Sequence, residues 1–141
     1  DALALPLRGI LVEKPLADGV RPAVSFAYDA RHDIVRHTDE VGAVRLYAYD
    51  AADRLVSAAD PLGAVTRIAY GENSRTVTDP LGARTVATYD ARGRVVSETD
   101  PLGFVTTTAW DDENRRVATT DPLGRVTRYG WDARGNALSR T

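Results

Sequence analysis

Two histidines, His32 and His37, stand five residues apart with Asp33 and Asp39 beside them. Imidazole and carboxylate are the side chains that hold a divalent cation. Five aromatic–acid pairs also recur: Tyr28-Asp29, Tyr49-Asp50, Tyr89-Asp90, Trp110-Asp111 and Trp131-Asp132, with Tyr70 followed by Gly71 instead. A carboxylate beside an aromatic ring suits general acid–base chemistry. Regular recurrence argues against that use, because catalysis needs one perturbed site and this pattern supplies five equivalent ones. His32 falls in a turn position and His37 in a column of mixed residue types, so both read as structural or solvated. Arg115-Arg116 is a lone dibasic pair and reads as solvated. No G-x-S-x-G, phosphate-loop, H-E-x-x-H or dinucleotide fingerprint occurs. The expectation is therefore no catalytic, cofactor-binding or metal site.

The elements that carry these residues are set by an internal repeat. Gly42 to Leu62, Gly82 to Leu102 and Gly103 to Leu123 are 21-residue copies, Gly63 to Leu81 is a 19-residue copy, a last one starts at Gly124, and a looser one runs from Gly19 to Val41. In each copy an alternating stretch ends in the aromatic (Tyr28, Tyr49, Tyr70, Tyr89, Trp110 or Trp131). Downstream comes His32, Asp53, Gly93, Asn114 or Gly135, residue types that tolerate a left-handed backbone. Asp-Ala-Arg-Gly thus reads as a type I turn closed by a left-handed residue, a hairpin connection.

A second punctuation is Asp60-Pro61-Leu62-Gly63, Asp79-Pro80-Leu81-Gly82, Asp100-Pro101-Leu102-Gly103 and Asp121-Pro122-Leu123-Gly124, with Asp39-Glu40-Val41-Gly42 as a weaker version. Its residue order is that of a type I turn, and proline ends a strand. Each repeat is then strand, turn, strand, turn. The two deviant lengths, two residues short at Gly63 and two long at Arg21-Pro22, keep the period-two facing of a strand. We expect the aromatics, the column Val35, Val56, Val96, Val117 and Leu138, and the turn leucines Leu62, Leu81, Leu102 and Leu123 to pack on one face. His37, Ala58, Glu98, Thr119 and Arg140 are too mixed for core.

Composition agrees. Hydrophobic residues are 43% and charged residues 27%, neither disordered nor membrane-inserting in balance. The net charge of −2 comes without a basic patch, so no nucleic-acid partner is implied. There is no cysteine, which excludes disulfides. There is also no methionine, so a chain starting Asp1-Ala2-Leu3 is expected to be a piece of a longer protein; no signal peptide is visible.

The pattern Gly-x-x-Thr-x-x-x-Tyr-Asp-x-x-Gly-Arg-Val-Val-x-x-x-Asp-Pro-Leu-Gly, nearly ideal from Gly82 to Gly103, resembles the RHS/YD repeat family over residues 19–141. That resemblance implies an all-β fold: an antiparallel meander of tandem ~21-residue β-hairpin repeats forming a curved sheet, part of a hollow shell. It implies domains at 1–18 (an atypical opening or capping segment) and 19–141 (six repeats, the last truncated). It implies a structural role in a secreted bacterial effector, of the type VI secretion or toxin-complex kind, whose shell shields a C-terminal toxin domain. The implied partners are further RHS repeats of the same polypeptide, the enclosed toxin, and secretion-system or immunity proteins. The family's core motif places Leu or Trp after Asp-Pro-x-Gly, whereas Ala64, Ala83, Phe104 and Arg125 follow here, so no cleavage role is carried over. The rival reading is a glycan-binding or cell-surface adhesion module. It fits less well, because aromatics are only 7% of the chain and each repeat has one aromatic beside an aliphatic column, which suits packing better than a ligand cage.

Overall fold

The computed structural model describes residues 8–11 and 24–141. Among them are thirteen strands and no helix, in chain order as an antiparallel meander. The chain divides into two compact units, Asp1–Ile68 and Ala69–Thr141. The first holds β1 (Arg8–Leu11), β2 (Ser25–Tyr28), β3 (Ile34–Thr38), β4 (Val44–Tyr49), β5 (Leu55–Ala59) and most of β6 (Val65–Tyr70). The second holds β7 (Ser74–Thr78), β8 (Arg84–Tyr89), β9 (Val95–Thr99), β10 (Val105–Trp110), β11 (Arg116–Thr120), β12 (Val126–Trp131) and β13 (Ala137–Arg140). The strands are four to six residues long, slightly shorter than the repeat suggests, because the turns take five residues each. Within the segment 1–18, β1 continues the meander by pairing with β2, Arg8 opposite Tyr28. The rest of that segment, and the Arg21-Pro22 insertion, lie outside the described residues.

Threonine, valine and aromatic residues at alternating positions make these segments strands, and the alternation is legible in their exposure. Along β10, Thr106, Thr108 and Trp110 are half-buried while Val105, Thr107 and Ala109 are exposed. Along β4, Tyr47 and Tyr49 are half-buried and Leu46 and Ala48 exposed. One face of each unit therefore carries the aromatic column. Among the described residues only Ala87 is buried, at 7% exposure, so packing here is half-coverage of one sheet face rather than a closed core.

A bulge interrupts the ladder at the aromatic in every described full-length repeat. Ala48 opposes Ser57, but Tyr49 opposes Leu55, leaving Val56 as the extra residue. The same shift leaves Val35, Val96, Val117 and Leu138 over. The valine column is thus the column of bulge residues. A bulge adds one unpaired residue and increases local twist. The short repeat loses its two residues from the loop: Gly71 N–H donates to the Ser74 carbonyl at 2.8 Å, closing a tighter connection.

Two expectations about packing are corrected. The turn leucines do not join the apolar face: Leu62 and Leu81 are 94% exposed, Leu102 81% and Leu123 76%. The period-two rule ends where the strand ends, and the third residue of these turns projects away from the sheet. Leu138, in the last strand, is 68% exposed as well. The mixed column is not core, as its composition implies, and each member faces a partner across the ladder. His37 opposes Phe26, Ala58 opposes Tyr47, Thr119 opposes Thr108 and Arg140 opposes Tyr129. His37 stacks on the Phe26 ring at 4.8 Å and 12°.

The left-handed positions are as the repeat requires: φ is 70° at His32, 57° at Asp53, 62° at Asn114, 75° at Gly93 and 83° at Gly135. A Cβ at Gly93 would meet nothing within 4 Å, so only the backbone opposes a larger residue there. Gly93→Val should cost on the order of 1–2 kcal/mol by chemical denaturation, since a β-branched side chain is penalised in this region. Gly93→Asn, which copies the slot at Asn114, should cost clearly less.

Candidate functional site

The chemistry-bearing residues of this chain converge on its turns. At Asp90 the turn closes with Gly93 N–H donating to the Asp90 carbonyl and Asp90 N–H to the Arg94 carbonyl, both 2.9 Å. The carboxylate Oδ1 accepts two more backbone N–H groups, from Arg92 at 2.9 Å and Arg94 at 3.0 Å. At Asp100 the same four bonds recur: Gly103 N–H and the Phe104 carbonyl close the turn, and Oδ1 accepts from Leu102 and Phe104 N–H at 2.9 Å each. The two punctuation marks are one device. Asp29, Asp39, Asp50, Asp60, Asp79, Asp111, Asp121 and Asp132 repeat it. Charge-assisted acceptance by one oxygen satisfies donors that a five-residue turn otherwise leaves open.

The second carboxylate oxygen is used as well. Arg94 Nε donates to Asp90 Oδ2 at 2.8 Å, and its NH1 reaches the Asp111 carbonyl of the next repeat at 2.6 Å. Arg115 does the same from Asp111 toward the Asp132 carbonyl. In the first unit Arg31 takes this role, bonding the Asp50 carbonyl at 3.0 Å and Asp53 Oδ1 at 2.8 Å. Arginine therefore straps one aromatic-side turn to the next. Asp33 occupies the position that Arg54, Arg94 and Arg115 hold elsewhere. Burial, then Asp29 and Asp53, hold its carboxyl above the ordinary value, and its Oδ2 has no partner.

The aromatics tie repeats in the opposite direction. Tyr49 Oη donates to the Ile34 carbonyl at 3.2 Å, Trp110 Nε1 to Val95 at 2.8 Å and Trp131 Nε1 to Arg116 at 2.9 Å. Each acceptor is the residue opposite the preceding repeat's aromatic, at its bulge. Reading the sequence missed both ties. The signal for one was that all six aromatic positions hold Tyr or Trp and never Phe; for the other, the arginine directly after the left-handed residue at 54, 94 and 115.

As chemistry, this arrangement ties turns and neighbouring repeats together. Each recurrent carboxylate accepts two backbone N–H groups of its own turn. Backbone N–H bonds keep Asp29, Asp39, Asp90 and Asp121 below the ordinary value; Arg54 and Asn136 side chains do so for Asp50 and Asp132. At Asp111 burial opposes, but bonds from Arg115 prevail. His32 sits in the turn slot and His37 on Phe26. Among the described residues no three His, Cys, Asp or Glu side chains are grouped to hold a metal. An open depression of about 410 Å³ on the second unit is lined by Thr106, Thr119, Asp121, Arg125, Thr127 and Arg140, with Asp121 already committed to Arg125.

Two outcomes test these bonds. Tyr49→Phe keeps the ring and removes the donor, and should cost about 1 kcal/mol of unfolding free energy. Acid should loosen the turns. A carboxylate whose folded pKa is depressed contributes stability that is present above its unfolded value, 3.8, and lost as pH falls through the folded one. Seven such aspartates outweigh Asp33, whose raised value gives the opposite sign. The melting temperature should therefore fall as pH drops below about 4, and Asp33→Arg should raise it at neutral pH.

Comparison with known proteins agrees with this build. The RHS Repeat family matches residues 28–65, 73–105 and 110–141. No curated protein matches. Among solved structures, the crystal structure of TcdB2-TccC3 superposes with a TM-score of 0.66 and 16% identity, covering 84% of this chain and 8% of that one. A Tc holotoxin pore from Photorhabdus luminescens, with a variant TccC3, gives 0.56 and 26% over 70% of this chain and 5% of that one. TcdB2-TccC3-Cdc42 gives 0.57 and 21% over 94% and 7%. The chain thus spans under a tenth of the length of these structures, and the likeness to them is one of fold. With ten aspartate-closed turns among the described residues and the family pattern across most of its length, the chain belongs to the RHS repeat family.

Proposed function

We propose that this chain is a strip of wall in an RHS shell that encloses and shields a C-terminal toxin domain of a secreted bacterial protein, and that it works by exclusion without catalysis. The observation that supports this reading is the commitment of the polar side chains. The turn aspartates and their arginines bond the turns themselves and the neighbouring repeat, leaving structure as their use. One of its structural neighbours is a Tc holotoxin pore, which is the company a toxin shell would keep. Its partners would be further RHS repeats of the same polypeptide and the enclosed domain, with secretion-system or immunity proteins at delivery; a type VI effector is one such setting.

Adhesion through exposed rings fits less well, since ring faces are already occupied. His37 stacks on Phe26. The Arg116 guanidinium lies 4.3 Å from the Tyr129 centroid, and that of Arg94 lies 5.9 Å from Trp110.

The test is limited proteolysis of the polypeptide that carries these repeats. The segment following the array should survive protease in the native protein and be digested when the repeats are acid-loosened or truncated. Equal digestion in both states, or retention of this chain on purified cell-wall glycan, would overturn the proposal.

A further inference from the structure

Among the five aspartate-closed turns that follow an aromatic, four end on a side chain that donates. The residue after the left-handed position gives a hydrogen to Oδ2 of its own turn aspartate: Arg54 Nε to Asp50 at 2.8 Å, Arg94 Nε to Asp90 at 2.8 Å, Arg115 Nε to Asp111 at 2.7 Å and Asn136 Nδ2 to Asp132 at 2.8 Å. Asn136 shows that a neutral donor serves there as well as a cation. The remaining turn puts Asp33 in that place. An ionised carboxylate only accepts, so in that state Asp33 cannot supply what the other four do.

The backbone of Asp33 serves its turn in the ordinary way: its carbonyl accepts the Asp29 N–H and its own N–H donates to Asp29 Oδ1, both at 3.0 Å. The charged groups that act on its side chain are Asp29, just past β2, Asp53, in the β4–β5 turn, and Arg31. Arg31 is already engaged across the junction, with NH1 on Asp53 Oδ1 at 2.8 Å and on the Asp50 carbonyl at 3.0 Å. Tyr49 of β4 faces the same place, and burial, then the Asp33 charge, hold its phenol above the ordinary value. His32 is exposed at the left-handed position of the turn. Among the described residues, Asp33 Oδ2 is the one side-chain polar atom sealed from water with no hydrogen-bond partner. A sealed, unpaired carboxylate oxygen is costly, and a proton on it removes the charge and creates the missing donor.

We infer that Asp33 and Asp53 form an acid-closed tie: Asp33 takes a proton from water at Oδ2 and donates it in a hydrogen bond to the Asp53 carboxylate, joining its turn to that of the next repeat. One O–H bond forms and one negative charge is lost. Burial, then the charges of Asp29 and Asp53, hold the Asp33 carboxyl above its ordinary value, and a hydrogen bond with Asp53 adds to them, so the two carboxyls lie within reach of each other. This tie responds to pH in the opposite sense to the arginine ties. Asp50, Asp90 and Asp111 hold their arginines as carboxylates and let go when protonated. The Asp33 junction is weakest at neutral pH and gains stability as pH falls through the raised Asp33 value toward 3.8. It is local to the first unit and does not rest on the shell reading.

The experiment follows the side-chain carboxyl carbons of the chain by NMR through a pH titration, with melting curves by circular dichroism beside it. The Asp33 signal, assigned by its loss in Asp33→Asn, should titrate above 3.8 and above those of Asp50, Asp90 and Asp111. Asp53→Asn should lower the Asp33 midpoint and keep the fold, since Asn114 already holds the equivalent left-handed position. Asp33→Asn supplies a donor without needing a proton. It should melt above the parent at neutral pH, and the gain should vanish toward about pH 4. Four outcomes overturn the inference: an Asp33 midpoint at or below 3.8, a midpoint unmoved by Asp53→Asn, an Asp33→Asn variant no more stable than the parent at neutral pH or equally favoured at both, or calcium chloride raising the neutral melting temperature of the parent and not of Asp33→Asn, which would make the junction a cation site.

Discussion

A single carboxylate oxygen accepting two backbone N–H groups recurs at ten turns among the described residues, and the remainder of the fold is arranged around it. A turn that leaves and returns within five residues strands several donors, and strands this short cannot compensate by length. Aspartate answers that locally and leaves its other oxygen free for an arginine. Proline or alanine can then follow it, and a left-handed residue must close it. The turn fixes the two strands beside each other, and the bulge at the aromatic sets how they twist.

Stability is distributed accordingly. With only Ala87 buried among the described residues, no central core dominates. Instead the aromatics Tyr49, Trp110 and Trp131 bond the repeat before them and, at several turns, arginine bonds the repeat after. Half-buried aromatics supply apolar coverage and their polar tips supply direction. Nearest-neighbour coupling of this kind makes an array whose stability is close to a sum over units and junctions.

Much of this was legible in the residues, and the failures have physical causes. Asp-Pro-Leu-Gly and Tyr-Asp-Ala-Arg-Gly showed themselves as turns because glycine, asparagine, aspartate and histidine share a tolerance for positive φ. That the two turns are identical was hidden by Pro61 and Ala91 standing at one position, where the geometry is indifferent to which is present. Leu81 was misplaced because alternation was carried past the end of the strand. Val56 was placed on the right column, but no spacing reveals that it is the unpaired residue of a bulge, since pairing belongs to two strands at once. Arg115 reads as solvated charge in the sequence because one of its partners, the Asp132 carbonyl, lies in another repeat.

The bonds between repeats reach one unit back and one unit forward and end mostly on main-chain carbonyls, which every residue type supplies. A unit removed or duplicated whole therefore presents its new neighbours with the same acceptors as the old. The length of such an array is open to change by recombination between its own copies, without any compensating substitution. Selection can set the extent of such an array by counting units, while the chemistry of each unit stays fixed.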